Sequence, residues 1–401
     1  MHRNILSIYP RNMRVFYFVD TFRAMWFVTS IWVVYERQFL TLSQLTIIEA
    51  CILAVTLSMQ LPTGAFADLF GKKKAMIIGG LLYSTSMWIY SFSTTFSMFF
   101  VYAIFAGLAS AFIDGTREAL LYDTLKQAKK EDQFSKIASK LSMIFQLTLA
   151  CAALIGGWLG MYSYVGVIRL TATVFLFATA GCLFFIEPAI DTEKFTVRRY
   201  IAKTKLGIGE LFKNAYVKKL SLYYILIGSL TWVSVITFNM MLLSELHYST
   251  SEIGLTVGIG RIVNSILLFR LLHVGTFFTR RRTFLLLPII LIFAYIPVVY
   301  MTKWWAIIPV MGAMIVSAAR WNILSHYTNI EFDSKNRATA ISALSMVIGI
   351  IFVIVVGASG YIMEHFGGIR ILYTLLGCIT LITAFPLGIH LANIHKQDHL
   401  K

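Results

Sequence analysis

Apolar positions along this chain form long unbroken runs of about 20 residues, joined by short polar stretches. Twelve such runs fall near 14–36, 43–66, 75–94, 97–122, 138–161, 165–187, 219–243, 251–273, 283–302, 305–327, 338–363 and 369–392. A helix needs about 20 residues to cross about 30 Å of hydrocarbon, so each run is long enough. None shows the strict alternation of a lipid-facing β-strand. The pattern predicts an all-α integral membrane protein with twelve transmembrane helices.

Composition agrees. Charged residues make up 13% of the 401 positions and hydrophobic ones 58%, and the mean hydropathy is +0.74. An average soluble domain carries about 25% charged residues, so soluble folding is excluded. The net charge of +16 changes the picture only through its placement. Of the 35 basic residues, 26 lie in the termini and joints of one side, among them Arg11, Arg14, Lys72 to Lys74, Lys126, Lys130, Lys213 and Arg280 to Arg282. The other side has Arg37, Arg169, Lys303 and Arg370. The positive-inside rule then makes both termini cytoplasmic, in a multi-pass cell (inner) membrane protein. The first run is interrupted by Asp20 and Arg23, which makes it a poor signal peptide and a retained span. No basic groove with interleaved aromatics appears, so nucleic acid is not an expected partner. Cys51, Cys151, Cys182 and Cys378 all lie inside runs without a close pair, which supports neither a disulfide framework nor a metal site. The sequence contains no GxxxxGK[ST] loop, and neither a cofactor nor ATP-driven pumping is expected.

The longest polar joint divides the chain into a six-helix bundle over 1–187, a cytoplasmic loop over 188–218 and a second six-helix bundle over 219–401. The halves resemble one another. "GGWLGMYSYVGVIRL" (156–170) parallels "GASGYIMEHFGGIRI" (357–371), and "TREALLYDTL" (116–125) parallels "ARWNILSHYT" (319–328), which pairs Arg117 with Arg320. Parallel repeats of this kind belong to transporter architectures with a site near the membrane midplane.

Gly64, Asp68, Gly71, Lys72, Lys73 and Lys74 spell Gly-x-x-x-Asp-x-x-Gly-Lys-Lys-Lys in the joint between the second and third runs. This resembles the signature loop of the major facilitator superfamily (MFS), of the bacterial twelve-helix type. Gly275 to Arg282 is a decayed second copy that keeps the arginines without the acid. The resemblance implies two pseudo-symmetric halves that rock around a central site lined by helices 1, 4, 7 and 10. It also implies an inner gate in which Asp68 latches toward the opposite half. Read from the residues alone, Asp68 caps the following segment or neutralises a lysine. Pro62 and Gly64 are expected to end or bend the second span, and Gly71 to permit the reversal into the third.

A charge at a helix centre costs about 2.5–3.5 kcal/mol on insertion scales, so each one needs a partner, water or a function. Asp20 and Arg23 stand three apart and either pair with each other or serve as coupling carboxylate and substrate contact. Glu49 either titrates during transport or latches to Arg37 or Arg261. Asp114, Arg117 and Glu118 are expected to pair with basic inner loops, although the resemblance places Arg117 and Arg320 on cavity-lining helices. Arg261 neighbours Gly258 and Gly260, where close helix packing is an alternative to a functional role. Arg270 is a further intramembrane charge. Trp26, Trp32, Tyr35 and Trp232 offer either an aromatic substrate surface or ordinary packing.

The expected function is secondary active transport of a small solute by alternating access. Proton-coupled efflux of amphipathic compounds is the leading form, by a monomer in the lipid bilayer with protons as the coupling partner. Superfamily antiporters often carry Gly-Pro-x-x-Gly-Gly in span 5. Here Ala152 to Gly157 keeps only the glycine pair, which withholds support from proton exchange. Import or facilitated passage of a polar, anionic or lipid-like solute is the alternative, and a non-transporting membrane sensor is a third reading. No Ser/His/Asp, Cys/His or metal-ligand arrangement points to an enzyme.

Overall fold

The computed structural model describes residues 2–189, 197–273 and 279–398. All twelve apolar runs fall on helices, and no strand occurs among the described residues. In chain order the spans are α1 (His2–Ala24), α2 (Leu42–Phe70), α3 (Lys72–Phe92), α4 (Phe96–Gln127), α5 (Phe134–Gly160) and α6 (Tyr164–Cys182). They continue as α7 (Ala215–Glu245), α8 (Thr250–His273), α9 (Arg280–Tyr300), α10 (Lys303–Ile330), α11 (Arg337–Phe366) and α12 (Gly368–Ile394). Ten of these, all but α1 and α8, meet the length and hydropathy of a membrane crossing among the described residues. A further helix, Val197–Leu211, lies in the central joint.

Helix boundaries follow local chemistry. Ser163, Asn214 and Thr279 accept hydrogen bonds from the amides of Gly166, Val217 and Arg282, capping α6, α7 and α9. Pro62 and Gly64 do not end the second span: α2 runs on to Phe70 with Pro62 inside it. The stop comes at Gly71, whose φ of +103° is readily available only to glycine. The decayed copy is described only from Thr279 onward, and Gly275 lies outside the described residues.

The first span is not one continuous helix. It breaks after Ala24, with Trp26 at φ −88° and ψ 77°, and resumes as a tight turn over Phe27–Ser30 and a short helix over Trp32–Glu36. The resumed segment packs closely against α5. A Cβ on Gly156 would lie 2.0 Å from the Phe27 carbonyl oxygen, and Ser30 Oγ donates to Ala153 O at 2.7 Å.

The chain forms two units. The first comprises Met1–Leu40, Cys51–Val197 and Ser249–Gly258; the second comprises Thr41–Ala50, Arg198–Tyr248 and Ile259–Lys401. The N-terminal ends of α2 and α8 therefore each belong to a different unit from the rest of their helix. Within the first unit, hydroxyls tie helices together by donating to carbonyls: Ser84 to Ala172, Thr63 to Ala111 and Thr56 to Gly107. Such bonds hold helices together where apolar burial provides little drive between them. The four cysteines are free thiols.

Candidate functional site

In the first unit Asp20 of α1 is fully buried. Its partner is not Arg23, three residues on, nor does Arg117 pair with a basic loop. Arg117 of α4 reaches across and grips the Asp20 carboxylate with two hydrogen bonds, Nε to Oδ1 at 2.7 Å and Nη2 to Oδ2. The planar guanidinium matches a carboxylate in this two-point geometry, whereas two side chains on one helix turn seldom align so well.

Arg23 is thereby released from Asp20. Its guanidinium lies 5.9 Å from the Phe145 ring centroid, and its Nη1 is buried without a hydrogen-bond partner among the described residues. Trp26 Nε1, at the helix break, is in the same condition. Both side chains line a cleft of about 150 Å³ together with Tyr83, Asp114, Phe145 and Phe175. Tyr83 and Phe175 stack at 4.1 Å and 19°. Asp114 is exposed to this cleft, with Arg23, Glu118 and Arg117 as its charged neighbours. Glu118 is exposed one turn further along α4. The cleft thus offers two unsatisfied donors, one carboxylate and aromatic walls.

The signature loop is wired differently from the sequence reading. Asp68 is exposed at the end of α2 and does not cap α3. That cap is Glu187, which accepts from the Lys72 and Lys73 amides at 2.7 and 2.8 Å. Fully buried Asn12 brackets the neighbouring Ile186, bonding both its amide and its carbonyl at 2.9 Å. The Lys72 ammonium is buried and pairs with Asp123 of α4. Gly64 is half-buried with open space at its α-carbon.

The second unit repeats this pair. Arg280, at the start of α9, donates to Glu331 at 2.7 Å, and 51 residues separate the partners in both pairs. Counted from these pairs, Arg117 falls 45 residues after Lys72, while Arg320 falls 40 after Arg280. The two arginines are therefore out of step along corresponding helices. Arg320 lies on a π turn, Arg320–Leu324, buried between the rings of Tyr224 and Trp321 at 5.1 and 4.5 Å. Trp232 packs on Phe352 at 5.3 Å, just before a second π turn over Ser234–Phe238. Asn239 accepts from the buried Tyr373 hydroxyl at 2.6 Å. Glu49 is half-buried on the part of α2 that belongs to this unit. Arg261 is half-buried on α8, and Gly258 and Gly260 beside it are in tight contact, a Cβ on each meeting Leu154 at 2.7 Å and Met311 at 3.1 Å. The Arg270 side chain lies outside the described residues.

Trp32 and Tyr35 are core residues, and the Tyr35 hydroxyl donates to the Tyr90 and Ser93 carbonyls. Sequence reasoning missed Glu36, buried beneath the Tyr90 hydroxyl at 2.9 Å. It also missed Asp123, Glu187 and Glu331. For Asp123 and Glu331 the available signal was an acid near the C-terminal end of spans 4 and 10, close to joints rich in lysine and arginine.

Two units of membrane-length helices, with buried ion pairs in the first and a broken first span, define a multi-pass membrane protein. The sequence matches the Major Facilitator Superfamily over residues 15–331, and the chain belongs to that family. Among solved structures it is similar to the nucleoside transporter NupG, with TM-score 0.75, 13% identity, and 95% of this chain and 98% of that one covered. It is also similar to a bacterial homologue of the human lysosomal transporter Spinster in an inward-facing, unoccupied conformation (TM-score 0.70, 14% identity, 98% of each chain). A third is a point mutant of the peptide transporter POT (TM-score 0.68, 13% identity, 98% of this chain and 94% of that one). Among curated proteins none matches the chain in sequence.

Proposed function

We propose that this chain is a proton-coupled secondary transporter that exports small amphipathic solutes across the cell membrane as a monomer, with both termini in the cytoplasm. The observation that carries the coupling is the buried Asp20–Arg117 pair, whose arginine is a charged neighbour of Asp114 in the cleft wall. A carboxylate held this way is a charge that protonation cancels. Arg117 then loses its partner and must find another or move. The break in the first span supports the reading, because discontinuous helices place freed backbone and side chains at transporter binding sites. In the cleft, Arg23 and Trp26 would meet acceptor atoms of the solute, and the aromatic walls would cover its apolar body. Asp68, exposed at the end of α2, would be the acid of the inner gate.

One observation favours the second reading, passage of a polar or anionic metabolite: each unit sets an arginine against aromatic side chains, Arg23 near Phe145 and the buried Arg320 between Tyr224 and Trp321. The fold is shared with a nucleoside transporter and a peptide transporter, which agrees with that class. The test uses purified protein in liposomes with a pH-sensitive dye inside. Ligands are chosen first by thermal stabilisation against metabolites and amphipathic drugs. Proton-coupled export predicts dye responses to those ligands that vanish in Asp20→Asn. Undiminished responses in that variant would overturn the coupling role, and solute flux independent of the pH gradient would favour facilitated passage.

A further inference from the structure

Arg11, Arg14 and Phe18 stand at i, i+3 and i+7 on α1 and so share one stripe of the helix. Both arginines are exposed, and neither forms an ion pair with a described carboxylate. Arg11 is anchored by its Nε, which donates to Phe184 O at 3.0 Å. With Pro10, Val15 and Phe184, the two arginines line an open cavity of about 380 Å³ at this end of α1.

The stripe then becomes wholly apolar. Phe18, 43% exposed, stacks on Phe22 at 4.4 Å and 29°, and Phe22 meets Phe177 of α6 at 6.3 Å. Phe177, Leu183 and Phe184 are more than half exposed along the same track. Gly181 makes room for it: a Cβ there would lie 2.7 Å from the Phe18 ring. The groove between α1 and the end of α6 is thus cationic at one end and aromatic along its length. A free anion would use only the cationic end, and an uncharged tail only the aromatic one.

We propose that this groove binds an anionic glycerophospholipid, with its phosphodiester on Arg11 and Arg14 and an acyl chain along Phe18, Phe22, Phe177 and Phe184. Guanidinium groups suit phosphate oxygens through two-point hydrogen bonding. Basic pockets between spans at the membrane surface are a recurrent headgroup site.

The test is native mass spectrometry of the purified full-length protein, mixed in detergent with equal amounts of phosphatidylglycerol and phosphatidylcholine. Phosphatidylglycerol adducts are expected to dominate by about fivefold or more, and Arg14→Gln is expected to reduce them about fivefold. The Arg11→Gln, Arg14→Gln double variant should bind both lipids alike. Gly181→Leu leaves the charges in place but pushes Phe18 out of the track, and it should lower adducts of both lipids. Equal binding of the two lipids by the wild type would overturn the proposal, as would unchanged preference in the double variant. Complete displacement of phosphatidylglycerol by millimolar inorganic phosphate would show a simple anion site and refute the lipid. If the arginine variants do not fold, Gly181→Leu decides, and undiminished adducts there would refute the acyl track.

Discussion

At the scale of single residues, this molecule is governed by carboxylates whose partners are remote in sequence. Removing one member of a buried pair leaves an uncompensated charge and costs about 3 kcal/mol or more, whereas removing both costs far less than the sum. Asp20→Ala and Arg117→Ala should therefore each lower the thermal midpoint strongly, and the double variant should recover much of the loss. Additive midpoints in detergent would show that the pair is not coupled. Glu210, just before the seventh span, yields a pH prediction. Burial alone would raise its pKa, but the Asp333 amide at 2.9 Å, Lys213 and Asn336 hold the carboxyl below its ordinary value. A depressed folded pKa contributes stability that is present above the unfolded value, near 4.5, and is lost as pH falls through the folded one. The midpoint difference between wild type and Glu210→Gln should be constant near neutral pH and shrink below about pH 4.5. A difference that is flat into acid would refute the linkage.

At the scale of elements, helix starts here are finished by acids from elsewhere in the chain. Glu187 caps α3. Glu364 accepts from the Ser43 amide at 2.8 Å and its hydroxyl at 2.5 Å at the start of α2. Glu245 accepts from the Ile369 amide at 2.8 Å at the start of α12. A carboxylate on these amides satisfies orphan donors and complements the helix dipole. Glu187→Gln should cost about 1 kcal/mol, read as a modest fall in the thermal midpoint. Gly71→Ala should cost more. It forces a left-handed residue with a side chain, and its methyl would come within 3.3 Å of the Glu187 carboxylate. Equal midpoints for wild type and Gly71→Ala would contradict the turn as the reason for this glycine. The element boundaries were partly legible. Gly71 signalled the turn, but of the two readings of Pro62, an end or a bend, the end does not hold, because a proline inside a long span is tolerated where neighbours satisfy the freed backbone.

At the scale of the whole molecule, the prediction concerns transport. Asp68 is exposed and leaves the cap to Glu187, so it is dispensable for the local fold. Asp68→Asn should insert and melt like wild type while slowing solute flux in liposomes several-fold. Wild-type turnover would remove Asp68 from the gate.

The twelve spans, the family and the signature loop could be read directly from the sequence, because hydrophobic length and a short motif are local properties of a chain. The candidate site was legible only as a set of expensive charges. Asp20, Arg23, Asp114 and Arg117 stood out as charges inside apolar runs, and sequence spacing offered Arg23 as one possible partner of Asp20. Only the tertiary structure decided that Arg117, 97 residues away, holds Asp20, which turns Arg23 and Trp26 toward a cleft. It likewise decided that Lys72 and Arg280 each answer an acid 51 residues on. A buried ion pair is selected by which two helices pack face to face and at what height. Those are properties of packing, and no single stretch of sequence contains them.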